Sequence, residues 1–535
     1  MSTDTPARPQ LSHRQILLLM SGLMLGMLLA ALDQTIVGTA LPTIVGELGG
    51  INHYSWVVTA YLLASTASTP LYGKISDLIG RRPVFLFSIG TFLVGSLLAG
   101  LSQNMTELIF TRGIQGIGAG GLMTLAFTII SDVVSPRERG RYQGLFGAVF
   151  GVASVAGPLV GGYFAETNWR WIFYINVPLA IVAIIVAYRV MRLIPFQKRE
   201  HKIDWLGAGL LVIGVSALLL ALSWGGSEYA WGSGAIIGLF AIGAVFAALF
   251  LVQENRASEP ILPLRLFRRP TFALANGAGF ILGLVMFGSI IFIPLYLQIV
   301  KGASPTKSGL LMLPMMAGVI VTSVLTGRAM SRIGRYKWFP VAGSVLLGLG
   351  ILLFTQLQVD SSLGVAFCFM VLIGVGLGLS MQSLVMAVQN AVEMKDLGAG
   401  TSAVTFFRSL GGSFGVAILG AVLSSRLATE TAARVPGALQ GLTPEQTKAV
   451  QGTLGTGNIS INEPSKILAL PDAVRNAIQV SFVDSLHTVF LVAGLVAIVA
   501  VVVTVLLPDR ELRGGPAAGQ PPTPAEMEAR AETLI

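Results

Sequence analysis

The sequence predicts an all-α polytopic membrane protein of fourteen transmembrane helices, arranged as two six-helix bundles with an inserted two-helix hairpin between them. Three observations predict it: a composition too apolar for a soluble core, recurrent apolar runs of bilayer-spanning length, and a loop pattern that occurs once in each half of the chain. Of the 535 residues, 53% are hydrophobic and only 11% are charged, whereas soluble domains carry roughly a quarter charged residues. Apolar runs recur from Ile16 to Leu507, and each approaches the ~20 residues that a helix needs to cross the hydrocarbon region. With no water there to satisfy the backbone, helices are the structure such runs adopt.

Taken in order, the spans begin near Ile16, Tyr54, Pro83, Glu107, Gln143, Trp171, Ile203, Gly234, Phe272, Ser308, Trp338, Leu363, Gly398 and Val483. The first run, Ile16 to Gly38, has no small-residue cleavage signal and carries an acid near its end, so it reads as a retained helix. The loop after the second span is Gly73-Lys-Ile-Ser-Asp-Leu-Ile-Gly-Arg-Arg82, and the loop after the tenth is Gly327-Arg-Ala-Met-Ser-Arg-Ile-Gly-Arg335. The two match at a constant offset, which makes spans 1 to 6 and 9 to 14 the two repeats and leaves spans 7 and 8 as the inserted hairpin. Transporters built from such repeats rock them about a site at their interface. Ser331 stands where the first loop has Asp77, so the second half is expected to lack the charge of the first.

The expected organisation is a cytoplasmic N-terminus over 1–15, a first bundle over 16–191, the hairpin over 192–253, a cytoplasmic linker over 254–270, a second bundle over 271–507 and a disordered cytoplasmic tail over 508–535. The tail is rich in Pro, Gly and Ala from Gly514 to Pro524. A long extracytoplasmic loop, 427–481, interrupts the second bundle. Within it Thr443-Pro-Glu-Gln446 places a capping Thr, a Pro at the first helical position and a Gln at the third, so either a partly ordered cap or a solvated linker fits.

The formal net charge of +9 would suit a nucleic-acid partner, but the basic residues alternate sides. With the N-terminus inside, most of the 35 Lys and Arg fall in the inner segments. This positive-inside bias gives the charge a topological meaning, so no nucleic acid is expected and both termini are placed in the cytoplasm. The one cysteine, Cys368, lies in an apolar run, which excludes an intramolecular disulfide and a cysteine metal cluster. The four histidines are scattered, so no metal is expected. No nucleophile–base pair or phosphate loop stands out, and an enzyme is not expected.

Of the 26 acidic residues, Asp33 alone lies well inside a span. An ionisable group at that depth is costly and is a functional candidate by default: it is expected to take up a proton on one side and release it on the other. Span 1 runs outward and span 4 inward, so Asp33 and Arg112 share the outer half of the bilayer and can pair. A guanidinium opposes protonation of the acid, so a pair that forms and breaks would bind protons differently in two states. A static ion pair that orients helix packing is the competing reading. In the first loop the glycines permit a tight turn, Asp77 can accept from a neighbouring helix end, and Arg81 and Arg82 can clamp carboxylates or merely anchor the inner side. In span 5, Gly147, Gly151, Gly157 and Gly161 form small-xxx-small pairs that allow close packing, and Pro158 favours a kink. Arg408 lies mid-membrane with Glu393 as one possible partner, carbonyl capping or the cavity being the others. Gln34, Trp56, Tyr61, Asn276, Met286, Gln298, Gln382 and Arg408 are the candidate substrate contacts, although such side chains are more often packing.

These residues resemble a known family. Gly73, Asp77, Gly80, Arg81 and Arg82 are similar to the signature loop of the major facilitator superfamily, and Arg112-Gly-Ile-Gln-Gly-Ile-Gly118 resembles its second motif. Gly151, Gly157-Pro158 and Gly161-Gly162 resemble the helix associated with drug/proton antiporters. Leu32-Asp-Gln-Thr-Ile-Val37, Ala40-Leu-Pro42 and Trp169-Arg-Trp-Ile-Phe-Tyr-Ile-Asn-Val-Pro178 resemble the fourteen-helix drug:proton antiporter branch. The resemblance implies the major facilitator fold and a polyspecific exporter in a bacterial cytoplasmic membrane. It further implies that proton influx drives export, that the first loop is a latch for the outward-open form, and that the span 5 motif seals the pathway against proton leak. The expected partners are small lipophilic or cationic substrates and membrane lipids, with protons as coupling ion, no cofactor, and a monomer as the working unit. A lipid or glycolipid exporter of the same fold is the alternative, and a membrane enzyme or sensor is the reading from another class.

Overall fold

The computed structural model describes residues 12–48, 54–193, 203–226, 228–440, 442–443, 450, 467 and 470–512. The helices are α1 His13–Leu48, α2 Tyr54–Ile79, α3 Arg81–Leu101, α4 Met105–Val133, α5 Pro136–Thr167, α6 Trp171–Val190, α7 Trp205–Trp224 and α8 Gly234–Arg256. They continue as α9 Pro270–Leu295, α10 Leu313–Ile333, α11 Trp338–Phe354, α12 Leu363–Ala391, α13 Leu397–Leu439 and α14 Asp472–Val505. A π-helical turn, Tyr296–Val300, extends α9, and a short helix, Pro305–Leu311, precedes α10.

Among the described residues twelve helices are long and apolar enough to cross a membrane. Two of the expected fourteen spans fall outside that set. The apolar α11 has 17 residues. The helix α2 is less apolar because it carries Thr66, Ser68 and Thr69, all buried against neighbouring helices. On the outer surface the large apolar side chains are where lipid would meet them: Leu491, Leu495, Ile498 and Val502 follow helical spacing along α14 and are each about half exposed.

Packing repeats between the halves. In the first six helices α1 packs on α5 and α6, α2 on α4, and α3 on α4; in the last six α9 packs on α13 and α14, α10 on α12, and α11 on α12. The most extensive contacts between the sets are α5 with α10 and α2 with α13, counterparts under the same repeat, and smaller ones join α5 with α12 and α4 with α13. The hairpin α7–α8 stands apart, with α7 against both α2 and α13. Thr59 and Ser223 share a hydrogen bond of 2.8 Å, and Trp56 packs on Trp224 with ring centroids 4.8 Å apart.

Helix ends reach beyond the apolar runs. The helix α5 begins at Pro136 and not near Gln143, and α14 begins at Asp472 and not near Val483. The helix α13 runs to Leu439, so the expected long loop is helical at both ends. Hydropathy marks the stretch that lipid covers, whereas a helix stops where its caps and neighbours stop it. Of Thr443-Pro-Glu-Gln446, all but Thr443 lies outside the described residues, as does the tail from Gly514 to Pro524. Pro158 sits inside α5 without ending it.

Candidate functional site

Five helices of the first bundle converge on Asp33, which is 0% exposed beside Arg112 at 1%. The Arg112 guanidinium donates through Nη1 to Asp33 Oδ2 and, at 2.6 Å, to Gln115 Oε1 one turn along α4. Gln115 Nε2 in turn donates to Asp33 Oδ1 at 2.7 Å, and Asn176 Nδ2 of α6 lies 3.4 Å from the same oxygen. Asn176 also donates to Ser96 Oγ of α3 at 3.0 Å, and Ser96 donates to the Phe173 carbonyl at 2.8 Å. On the other side of the guanidinium, Arg112 Nε donates to the Val57 carbonyl at 3.4 Å and its plane covers the Tyr61 ring at 4.2 Å. Tyr61 is itself pinned to the Ala30 carbonyl at 3.1 Å.

The glycines of the Arg112–Gly118 motif explain how these groups come so close. A Cβ on Gly116 would stand 2.4 Å from the Tyr61 carbonyl oxygen, and one on Gly118 2.4 Å from the Phe92 nitrogen. So α4 lies directly on α2 and α3, and Arg112 and Gln115 reach Asp33 with short arms. Arg112 has partners besides the acid: if Asp33 is protonated, Gln115, Val57 and the Tyr61 ring still hold the guanidinium. The site can lose one ion pair without leaving its cation bare.

The residues expected to act as a latch lie at the contact between the bundles. Asp77 accepts from the backbone N–H groups of Gly398 at 3.2 Å and Ala399 at 3.1 Å, in the first turn of α13, where the helix dipole favours an anion. Arg81 pairs with Asp77 at 2.6 Å and with Asp132 at 2.7 Å. Gly73 meets Gly398 so closely that a Cβ on either would lie within 2.6 Å of the other's carbonyl oxygen. Gly80 turns the chain at φ 102°, and Gly334 does so at φ 74° in the second loop. The Arg82 guanidinium covers the Tyr188 ring at 4.4 Å, and among the described residues it clamps no carboxylate, Arg81 being the one that meets Asp77 and Asp132.

The α5 motif forms a wedge between two partners. A Cβ on Gly157 would meet Thr35 Oγ1 at 2.0 Å and one on Gly161 the Ile36 carbonyl at 2.8 Å, both on α1. Gly147 and Gly151 face Ser323 and Ile320 of α10 in the same way, at 2.4 and 2.3 Å, while Pro158 contacts Gly309 and Gly162 approaches Thr306.

The substrate candidates do not gather into one cavity. Tyr61 belongs to the Asp33 network, and Trp56 packs on the hairpin. Gln34 is exposed on α1 next to Asp33. Met286 and Arg408 line a small cavity in the second bundle with Ser380 and Met381. Asn276 Nδ2 donates to the Phe272 carbonyl and Gln298 Nε2 to Ser308 Oγ, and Gln382 is buried with Oε1 unbonded. Glu393 is not the partner of Arg408: it pairs with Arg269 and Lys395, since it stands outside α12 at the helix end, well short of Arg408's depth. Gln115, Asn176, Ser96, Asp132 and the backbone of Gly398 were not singled out from the sequence. An amide one turn from a buried arginine, and another inside a long apolar run, were the available signals for Gln115 and Asn176.

A model of the Major Facilitator Superfamily matches residues 23–204 and 205–416. The chain is 40% identical over 521 residues to "Multidrug transporter protein MdtP" of Bacillus subtilis, covering 94% of this chain and 95% of that one. It is 36% identical over 511 residues to "Multidrug resistance protein 3" of the same organism, covering 94% and 96%. Among solved structures, the human organic anion transporter MFSD10 superposes with a TM-score of 0.60 at 14% identity, over 91% of this chain and 100% of that one, a likeness of fold.

Proposed function

The chain belongs to the Major Facilitator Superfamily, as a multi-pass membrane transporter and not an enzyme, and on that premise we propose that it exports small lipophilic or cationic compounds in exchange for protons. The buried Asp33–Arg112 pair carries the reading. A carboxylate kept from water at this depth serves transport if its charge state changes during the cycle, and Arg112 has other partners to fall back on when it does.

In the proposed cycle an inward-open form accepts a lipophilic compound and the bundles rock about α5–α10 and α2–α13. Protonation of Asp33 from the outer side frees it from Arg112 and favours release. Return through the other state restores the pair and sheds the proton inside. The Asp77 contact with the start of α13 stabilises the form closed at the basic end, which on the positive-inside bias is the outward-open form. The setting is a bacterial cytoplasmic membrane with both termini inside and the monomer as the working unit. The position of α7 against α2 and α13 favours small compounds over lipids, since it stands where a lateral cleft would open.

Reconstituted vesicles with an imposed pH gradient test the proposal. Wild type is expected to move cationic dye against its gradient and to acidify or alkalise the lumen in step. Asp33→Asn, present at normal level, is expected to lose gradient-driven transport at least about tenfold. Undiminished coupled transport by that variant would remove Asp33 from the mechanism, and dye transport that ignores the gradient would remove antiport. Lipid movement without dye movement would favour the lipid exporter.

A further inference from the structure

The two signature loops are matched in backbone and mismatched in charge. Gly327 meets Gly140 of α5 as Gly73 meets Gly398 of α13: a Cβ on Gly327 would lie 1.9 Å from the Gly140 carbonyl oxygen, and one on Gly140 2.6 Å from that of Gly327. In the first loop every cation facing the crossing has an acid. Lys74 pairs with Glu259 at 2.5 Å, and Arg81 with Asp77 and Asp132. In the second loop the position of Asp77 is Ser331, whose Oγ accepts from the Arg141 backbone N–H at 3.2 Å and donates to the Gly327 carbonyl. Among the described residues no carboxylate stands at that position, and Arg335, the counterpart of Arg81, pairs instead with Asp509 at 3.3 Å and Glu511 at 3.5 Å.

The cations remain. Arg328, at the position of Lys74, and Arg332, one turn on, are exposed beside Arg141, and among the described residues none of the three makes an ion pair. They line a cleft of about 440 Å³ with Ser331, Tyr142 and Glu138. Glu138 accepts a hydrogen bond from Ser135 Oγ at 3.0 Å, and one carboxylate against three guanidiniums leaves the cleft positive. The face of α10 that carries Arg328 and Arg332 continues with helical spacing into Val321 and Leu325, each about half exposed. An apolar stripe meant for acyl chains therefore ends at a basic cleft between the two bundles.

We propose that this cleft binds a phosphate group, carried by an anionic phospholipid, which supplies between α5 and α10 the negative charge that Asp77 supplies between α2 and α13. Guanidinium pairs grip phosphate oxygens through parallel charge-assisted hydrogen bonds, and basic pockets between helices at the inner surface are suited to anionic headgroups. An occupant holding Arg141 on α5 together with Arg328 and Arg332 on α10 clamps the bundles closed at this end, so the lipid composition of the inner leaflet would set the balance of conformers.

The test uses the purified full-length protein and does not depend on the identity of any exported compound. Retention of phosphatidylglycerol against phosphatidylcholine is measured by native mass spectrometry for wild type, Arg328→Ala/Arg332→Ala, Arg328→Lys/Arg332→Lys and Ser331→Asp. Wild type should retain phosphatidylglycerol preferentially. The alanine pair should lose the preference roughly tenfold, as expected when charge-assisted bonds are removed, and the lysine pair should keep most of it. Ser331→Asp leaves every arginine in place yet should release the lipid, because its own carboxylate fills the gap, and should raise thermal stability in lipid-free detergent. Inorganic phosphate that stabilises the lipid-free wild type and displaces phosphatidylglycerol confirms the phosphate chemistry; phosphate that stabilises the protein while no lipid preference exists keeps the site and assigns it to a free anion. Equal retention of the two lipids with no response to phosphate, or an unchanged preference in the folded alanine pair and in Ser331→Asp, overturns the proposal.

Discussion

Removing the Arg112 guanidinium leaves the Asp33 carboxylate buried with only amide donors, and breaking a buried pair by deleting one partner costs about 3–5 kcal/mol. Removing both charges costs far less, because the remaining groups are neutral and of similar shape. Arg112→Gln alone is therefore expected to destabilise the protein more than the double variant Asp33→Asn/Arg112→Gln, read as thermal unfolding in detergent. Additive single effects would show that the two side chains do not depend on each other. At the helix end outside the membrane, Glu393 is held below the ordinary carboxylate range by hydrogen bonds from Lys395 and Arg269. A depressed folded value contributes stability above the ordinary value of 4.5 that is lost as pH falls through the lowered one. Glu393→Gln should thus be slightly less stable than wild type at neutral pH and equal to it in strong acid; a difference that persists in acid would exclude the ion pairs as its source.

Among elements, the crossing of α5 with α10 and that of α2 with α13 are set by glycine. Where a Cβ would stand 1.9 Å from a backbone oxygen, as at Gly327, the helices must part. Gly238 on α8 has nothing within 4 Å of the same construction, and alanine there should be neutral or stabilising by up to about 1 kcal/mol. Gly327→Val is expected to leave the protein folded but to expose the basic end, seen as faster labelling of a cysteine placed at Ser402. Unchanged labelling would mean that the crossing does not gate that end. The length of α5 and α13 has the same origin: each is wedged between a helix of its own bundle and one of the other, and contact carries it past the apolar run that first marks it.

For the molecule as a whole, matched pairings within the bundles and contacts between them centred on α5–α10 and α2–α13 suit bodies that rock against each other in the proposed cycle. Spin labels at Ile79 and Lys395, across α2 and α13, should report two distances whose ratio shifts with pH, whereas labels at Leu17 and Ile79, within the first bundle, should report one. Asp77→Asn weakens the hold on the start of α13 by about 1–2 kcal/mol and should move the first ratio roughly five- to thirtyfold toward the longer distance. Two distances within the bundle would contradict rigid rocking.

The all-helical membrane architecture, the order of the apolar stretches, the repeat and the placement of Asp33 and Arg112 inside spans were legible in the sequence, because the bilayer imposes length, apolarity and charge placement one segment at a time. The likeness of Gly73–Arg82 to Gly327–Arg335 was equally local, and so was the substitution of Ser331 for an acid. Partnership is not local. That Gln115 and Asn176 complete the Asp33 site, that Asp77 reaches the backbone of Gly398 and Ala399, that Arg82 finds a ring instead of a carboxylate, and that three arginines share a cleft with a single acid all depend on helices far apart in the chain. Side-chain hydrogen bonds act over about 3 Å, and only the packing of the bundles brings such groups within that range.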